Sequence, residues 1–206
     1  MPKKSETKLF NPFDTPQNTL NSDVSLMVNT KLETIGVKPT DANNKMSWYT
    51  MGELYEEMFC IVARQYAWNA IINPEKKKDP KLPDIIFEGQ LSDLKTQATP
   101  FFLSEKYGVK PENCITFNSK DYRRYKKKYP DINIYYWRGW EKCERFNRKV
   151  KKVRGVWWLP FTEVDKLVQK APEHTYRTRH NGNDYDQSCY VLNSKDFTQL
   201  LKKIPK

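Results

Sequence analysis

Asp84, Asp93 and Lys95 are charged side chains gathered on a short stretch of this chain. They flank a turn signal, Glu88-Gly89, set between two strand-forming runs at 85–87 and 90–96. Glycine tolerates the positive φ that a two-residue hairpin turn requires. With Glu88 and Gly89 as the turn, Phe87 faces Gln90, Ile86 faces Leu91, Ile85 faces Ser92 and Asp84 faces Asp93. Strand side chains alternate, so Asp84 and Asp93 share a sheet face, and Lys95 and Gln97 follow on the same face. A one-residue slip of the turn would carry one carboxylate to the other face, so the inference depends on this register.

Two carboxylates opposed across a hairpin repel, by roughly 4 kcal/mol at about 4 Å and an effective dielectric near 20. Cross-strand like charges are normally avoided. A divalent cation is the natural relief, and carboxylate oxygens are the ligands Mg²⁺ prefers. A lysine beside such an ion can orient a water or stabilise charge on a phosphate. Metal, water and lysine together suit phosphodiester hydrolysis.

The elements that must position these groups are legible in outline. Residues 1–21, with three prolines among Asn, Thr and Ser, read as an irregular arm. Ser22 is a possible cap for a helix to about Ile35, and 36–47 read as a loop. Thr50 and Glu53 form a T-x-x-E capping box, and no Gly or Pro other than Gly52 interrupts a helix to Ile72. Leu54, Met58, Ile61, Val62 and Tyr66 mark its buried face. A Pro- and Lys-rich loop at 73–82 leads into the hairpin. After it come a helical turn at 101–107, a short strand at 115–117, and a basic helix capped by Ser119 and running to about Tyr129. Strands at 132–137 and 156–161 follow, then a helix capped by Thr162. A polar loop spans 171–187, a last strand 189–192, and Ser194 caps a final helix. The expected class is a mixed α/β domain with one sheet. The expected division is an N-terminal arm and helix, 1–47, and a catalytic domain, 48–206.

The formal charge of +11 is unevenly placed. From Lys120 to Arg154 there are fourteen Lys and Arg against four Asp and Glu, a net of +10. Such a field suggests a polyanion, most simply nucleic acid, although a solvated basic surface looks the same in sequence. Tyr122, Tyr125, Tyr129, Trp137 and Trp140 interleave with these charges and suit either stacking or a core. Arg123, Arg124, Lys126, Lys127 and Lys128 on the basic helix would grip phosphates. Arg177, Arg179, His180 and Asn181 in the polar loop could read base edges or touch only backbone. Seven scattered glycines form no phosphate-cradling loop, which argues against a nucleotide-driven motor. Four cysteines without a CxxC pair, and two histidines, make a structural zinc site unexpected. Reduced thiols of a cytoplasm fit better. No apolar run is long enough for a membrane span, and no secretory signal is expected.

Pro83-Asp84, eight residues, then Asp93-Leu94-Lys95 resembles the signature of the PD-(D/E)XK nuclease superfamily, which includes restriction endonucleases, junction resolvases and some homing endonucleases. The resemblance covers about residues 50–140. It implies an α/β fold with a restriction-endonuclease-like αβββαβ core, a mixed central sheet flanked by helices. Gly52-Glu53-Leu54-Tyr55-Glu56 is similar to the family's G-x-x-[FY]-E, so Glu56 matches a third metal ligand; as an exposed acid beside Glu53 and Glu57 it has an equally plain reading. Gln97 matches a polar residue often found two beyond the lysine. By resemblance, Asp84, Asp93 and Glu56 hold Mg²⁺, with Mn²⁺ as a substitute, and Lys95 positions the attacking water. DNA is then the partner, a homodimer is a common assembly, and a bacterial or phage-infected cell is the expected setting. Site-specific cutting, junction resolution, RNA cleavage and catalytically silent binding all remain open at this level.

Overall fold

The computed structural model describes residues 45–201, apart from 146, 181 and 182. The described residues belong to one compact unit. The helix expected from Ser22 lies outside them.

Helix α1 spans Lys45–Gln65. Nothing between Lys45 and Thr50 breaks a helix, and extension is easier than initiation, so the Thr50–Glu53 capping box lies inside α1 rather than at its start. The boundary drawn at residue 47 also falls within it. The other end comes earlier than expected. Ala67 adopts φ 58°, its N–H donates to Arg64 O at 3.0 Å, and Trp68 N–H donates to Ala63 O at 3.1 Å. This pair of reversed bonds satisfies the last carbonyls and ends a helix with a left-handed residue. Residues 70–72, expected as helix, are instead strand β1 (Ala70–Ile72), which suits its two β-branched isoleucines.

β1 runs antiparallel to β2 (Ile85–Phe87), and β2 antiparallel to β3 (Gln90–Gln97). The turn between them is the expected one: Glu88 and Gly89 have φ 49° and 77°, the two left-handed residues of a two-residue hairpin. Phe87 pairs with Gln90, Ile86 with Leu91 and Ile85 with Ser92, as the sequence predicts. Glu88 also ties the turn to the entry of β1, through Asn69 N–H to its Oε1 at 2.6 Å.

A long crossover carries β4 (Cys114–Asn118) and helix α2 (Ser119–Lys128) before β5 (Asn133–Trp140) returns parallel to β3. Parallel neighbours require such a crossover. The cap of α2 is Asn118, one residue before the serine expected, accepting from Lys120 N–H at 2.8 Å. β8 (Val153–Pro160) and β11 (Thr198–Leu201) complete a six-stranded mixed sheet in the order β1-β2-β3-β5-β8-β11. Helix α3 (Phe161–Val168) follows β8 with no side-chain cap, so Thr162 does not serve as one.

Three expectations fail here. The single sheet is three: β4 joins β10 (Asn183–Asn193) and β9 (Glu173–His180) in a second sheet, and β6 (Cys143–Arg145) with β7 (Arg148–Val150) forms a small ribbon. The polar loop expected at 171–187 is largely the β9–β10 hairpin. Its Thr- and Tyr-bearing strand has no apolar alternation because β9 is an edge. The final helix after Ser194 is a single 3-10 turn, Ser194–Asp196, followed by β11 paired with β8.

Apolar side chains cover both faces of the large sheet. On one, Phe59, Val62, Ala63 and Tyr66 of α1 pack with Ile85, Phe87, Leu94 and Tyr135. On the other, Tyr125 of α2 and Phe161, Val164 and Val168 of α3 pack with Ile134, Tyr136 and Trp157. β5 is buried along nearly its whole length, as a central strand must be. Arg138 is fully buried within it, its guanidinium centred 5.0 Å and 4.9 Å from the rings of Trp140 and Trp157. Its Nη2 donates to Glu112 O and Cys114 O at 3.0 and 2.9 Å.

Candidate active site

The hairpin and α1 deliver the carboxylates. Asp84 precedes β2 directly, and its Oδ2 accepts from Leu94 N–H across the turn at 3.2 Å. Asp93 lies on β3, 1% exposed. Glu56 comes from the middle of α1 and is buried, which decides against the plain reading of an exposed acid. The link between Glu56 and Asp84 is a residue the sequence did not single out. The Lys76 ammonium lies 2.5 Å from Glu56 Oε1 and 2.5 Å from Asp84 Oδ1.

Lys95 follows Asp93 on the same face and points toward α2. Its Nζ lies 2.9 Å from Asp93 Oδ2, 2.6 Å from Asp121 Oδ2 and 3.2 Å from the Tyr125 hydroxyl. Tyr125 donates to Asp93 Oδ1 at 2.5 Å, and Arg124 Nη2 reaches both the Tyr125 hydroxyl, at 2.7 Å, and Asp121 Oδ1, at 3.0 Å. Asp121, Arg124 and Tyr125 stand at i, i+3 and i+4 of α2, so one helix face supplies all three. The Lys95–Asp93 contact is an ion pair by distance, yet Asp93 Oδ2 is buried without an aligned hydrogen bond among the described residues.

Electrostatics follow from burial. Asp93 is pushed from 3.8 up to about 7, first by burial and then by the Asp84 carboxylate, with Lys95 and Tyr125 opposing. Burial also raises Asp84, with Glu56 adding to it, and raises Glu56 against the pull of Lys76. Burial works against the Lys95 ammonium, but Asp93, Tyr125, Asp121 and Asp84 outweigh it and hold its pKa well above the ordinary lysine range. Lys95 is therefore a permanent cation at neutral pH.

The arrangement suits a hard divalent cation by donor chemistry: three carboxylates, all with raised pKa, and an ammonium already bridging two of them as a cation would. As placed, the three are not gathered into one ligand set; among the described residues no three His, Cys, Asp or Glu groups are. Lysines fill the cation positions instead. The four cysteines are free.

The remaining expected residues fall elsewhere. Gln97 continues along β3, donates to Thr99 O at 3.3 Å and lines a cavity of about 60 Å³ with Tyr55 and Trp137. Arg123, Lys127 and Lys128 are exposed on α2, while Lys126 pairs with Asp165 at 2.9 Å and Arg124 turns into the site rather than outward. The side chains of Arg177, Arg179 and His180 on β9, and Asn181, lie outside the described residues. A larger cavity, about 550 Å³, is lined by Glu112, Lys151, Lys152, Arg154, Trp157 and Lys195 among others, and none of the expected catalytic residues borders it.

Of the residues missed, Asp121 and Tyr125 carried a signal: helical spacing placed them beside Arg124 on one face. Lys76 carried none, being one lysine of a run of three. Among known proteins, no family model, no curated protein and no solved structure matches the chain.

Proposed function

We propose that this chain is a Mg²⁺-dependent nuclease that hydrolyses phosphodiester bonds in DNA. The observation that carries the reading is the neighbourhood of Asp84, Asp93 and Lys95 at one hairpin, with Glu56 of α1 joined to Asp84 through Lys76, the carboxylates raised in pKa and Lys95 fixed as a cation. Perturbed groups concentrated this way are a mark of functional sites. The order α1, β1, β2, β3, α2, β5 around the large sheet, with β4 of the second sheet inserted before α2 and β3 parallel to β5, accords with the αβββαβ core of the PD-(D/E)XK nucleases. β1 supplies the strand that the sequence left as helix. The basic segment accords with a polyanionic substrate. No helix among the described residues is long and apolar enough to cross a membrane.

Glu56, Asp84 and Asp93 would hold the ion. A divalent cation bound there supplies positive charge to the phosphate and makes water a stronger nucleophile at neutral pH. Lys95, held by Asp93, Asp121 and Tyr125, donates from its ammonium to a phosphate oxygen or a water and does not take a proton. Tyr125 fixes Asp93 Oδ1, while Oδ2 faces the Lys95 ammonium. Arg124 holds Asp121 and Tyr125 in place. Homodimerisation belongs to the same proposal and is read by sedimentation velocity.

The test is incubation with supercoiled, linear and branched DNA, in Mg²⁺ and in EDTA. Mg²⁺-dependent cleavage is expected, lost in Asp84→Asn and in Lys95→Ala while salt-sensitive DNA binding persists. Discrete fragments of linear DNA mark a site-specific enzyme, and cutting of branched DNA alone marks a resolvase. Absence of cleavage with binding retained would overturn the catalytic reading.

A further inference from the structure

Lys76 sits where the proposed metal reading needs a cation, and its delivery is built rather than incidental. It lies in a 3-10 turn, Pro74–Lys77, that follows β1. Asn73, 5% exposed, caps that turn through its Oδ1, which accepts from Glu75 N–H at 3.1 Å. The same residue pins the turn to the start of β2: its Nδ2 donates to Pro83 O at 2.9 Å and its N–H to Asp84 O at 3.0 Å. The backbone that carries Lys76 is thus tied to the backbone that carries Asp84. From there the lysine reaches both Glu56 and Asp84, and its side chain is 16% exposed. The next two lysines behave differently: Lys77 is exposed, and Lys78 pairs outward with Glu75.

A buried and a half-buried carboxylate, Glu56 and Asp84, from distant elements repel without a cation between them. A tethered ammonium stabilises their approach, but it fills the space a metal would use. We propose that Lys76 is an intramolecular stand-in cation that holds Glu56 and Asp84 together in the metal-free chain and is displaced when a divalent ion binds. This rests on the metal reading of the site. Displacement needs only rotation of a long, half-buried side chain toward solvent, with the Asn73-clamped turn left in place.

The wild-type chain tests it directly by amine acetylation followed by peptide mass spectrometry, with Lys77 and Lys78 as internal references and Mn²⁺ alone as the probe. Without Mn²⁺, Lys76 is expected to react more slowly than Lys77. At saturating Mn²⁺, established by calorimetry on the same sample, its rate should rise to that of Lys77. Equal reactivity without metal, or unchanged protection once Mn²⁺ is bound, overturns the proposal and leaves the metal reading standing. Absence of saturable Mn²⁺ binding overturns both. Lys76→Met provides the second arm. It should bind Mn²⁺ about tenfold tighter, within the range usual for coupled sites, and should melt at a lower temperature than wild type in EDTA. Weaker Mn²⁺ binding by a folded Lys76→Met or Lys76→Gln would show that the lysine assists the ion rather than competes with it, and would overturn the proposal.

Discussion

Replacing Asp93 by Asn should flatten the pH dependence of stability in the metal-free chain. Asp93 is 1% exposed, and burial together with Asp84 raises it from 3.8 to about 7. Between those values the folded chain keeps a proton that the unfolded chain has already released. Stability from this residue is therefore greatest at low pH and declines as pH rises through the window. A shift of about 3 units at 1.36 kcal/mol each is on the order of 4 kcal/mol across the whole window, and about 2 kcal/mol between pH 5 and 7, where the folded carboxyl is already half ionised at the upper end. Glu56 and Asp84 are raised as well and act in the same direction. Asn keeps an oxygen for the Tyr125 hydroxyl but cannot ionise. Urea unfolding in EDTA at several pH values from 5 to 8 measures the effect. Wild-type stability should fall toward pH 8, and the Asn variant should fall by distinctly less. Identical profiles, or a wild-type protein that gains stability from pH 5 to 8, would refute the reasoning that burial dominates this carboxylate.

Three further outcomes follow from other contacts. Tyr125→Phe removes a donor to Asp93, so it should cost about 1 kcal/mol in urea unfolding and shift the Asp93 titration upward; an unchanged titration would separate the hydroxyl from Asp93. Arg138→Ala empties the space between Trp140 and Trp157 and leaves the Glu112 and Cys114 carbonyls without their donor. A loss of about 3 kcal/mol or more is expected in chemical denaturation, against under 1 kcal/mol if the guanidinium is dispensable. Lys127→Ala with Lys128→Ala should reduce the slope of log K against log salt for DNA binding by about 2 in a fluorescence titration; an unchanged slope would place the phosphate contacts off α2.

The sequence by itself determined the hairpin and, through it, the placing of Asp93 and Lys95 two apart on β3 with Asp84 just before β2. Those features are local: a left-handed Glu88-Gly89 turn sets the register, and alternation does the rest. The basic helix was equally readable, since its polar cap and its helix-forming run lie within a dozen residues. Tertiary structure alone decided what lies far apart in the chain. β1, β9 and β11 are strands because of the strands they pair with, and short or polar edge segments carry little periodicity of their own. Lys76 reaches a glutamate twenty residues away and an aspartate eight residues away through a turn clamped by Asn73, and nothing in a run of three lysines distinguishes it. Burial of Asp93 under Tyr125 is likewise a product of α2 packing on the sheet, and it is this packing that raises the carboxylate to about 7. Local turn chemistry placed the charged groups, and long-range packing set their charges and their partners.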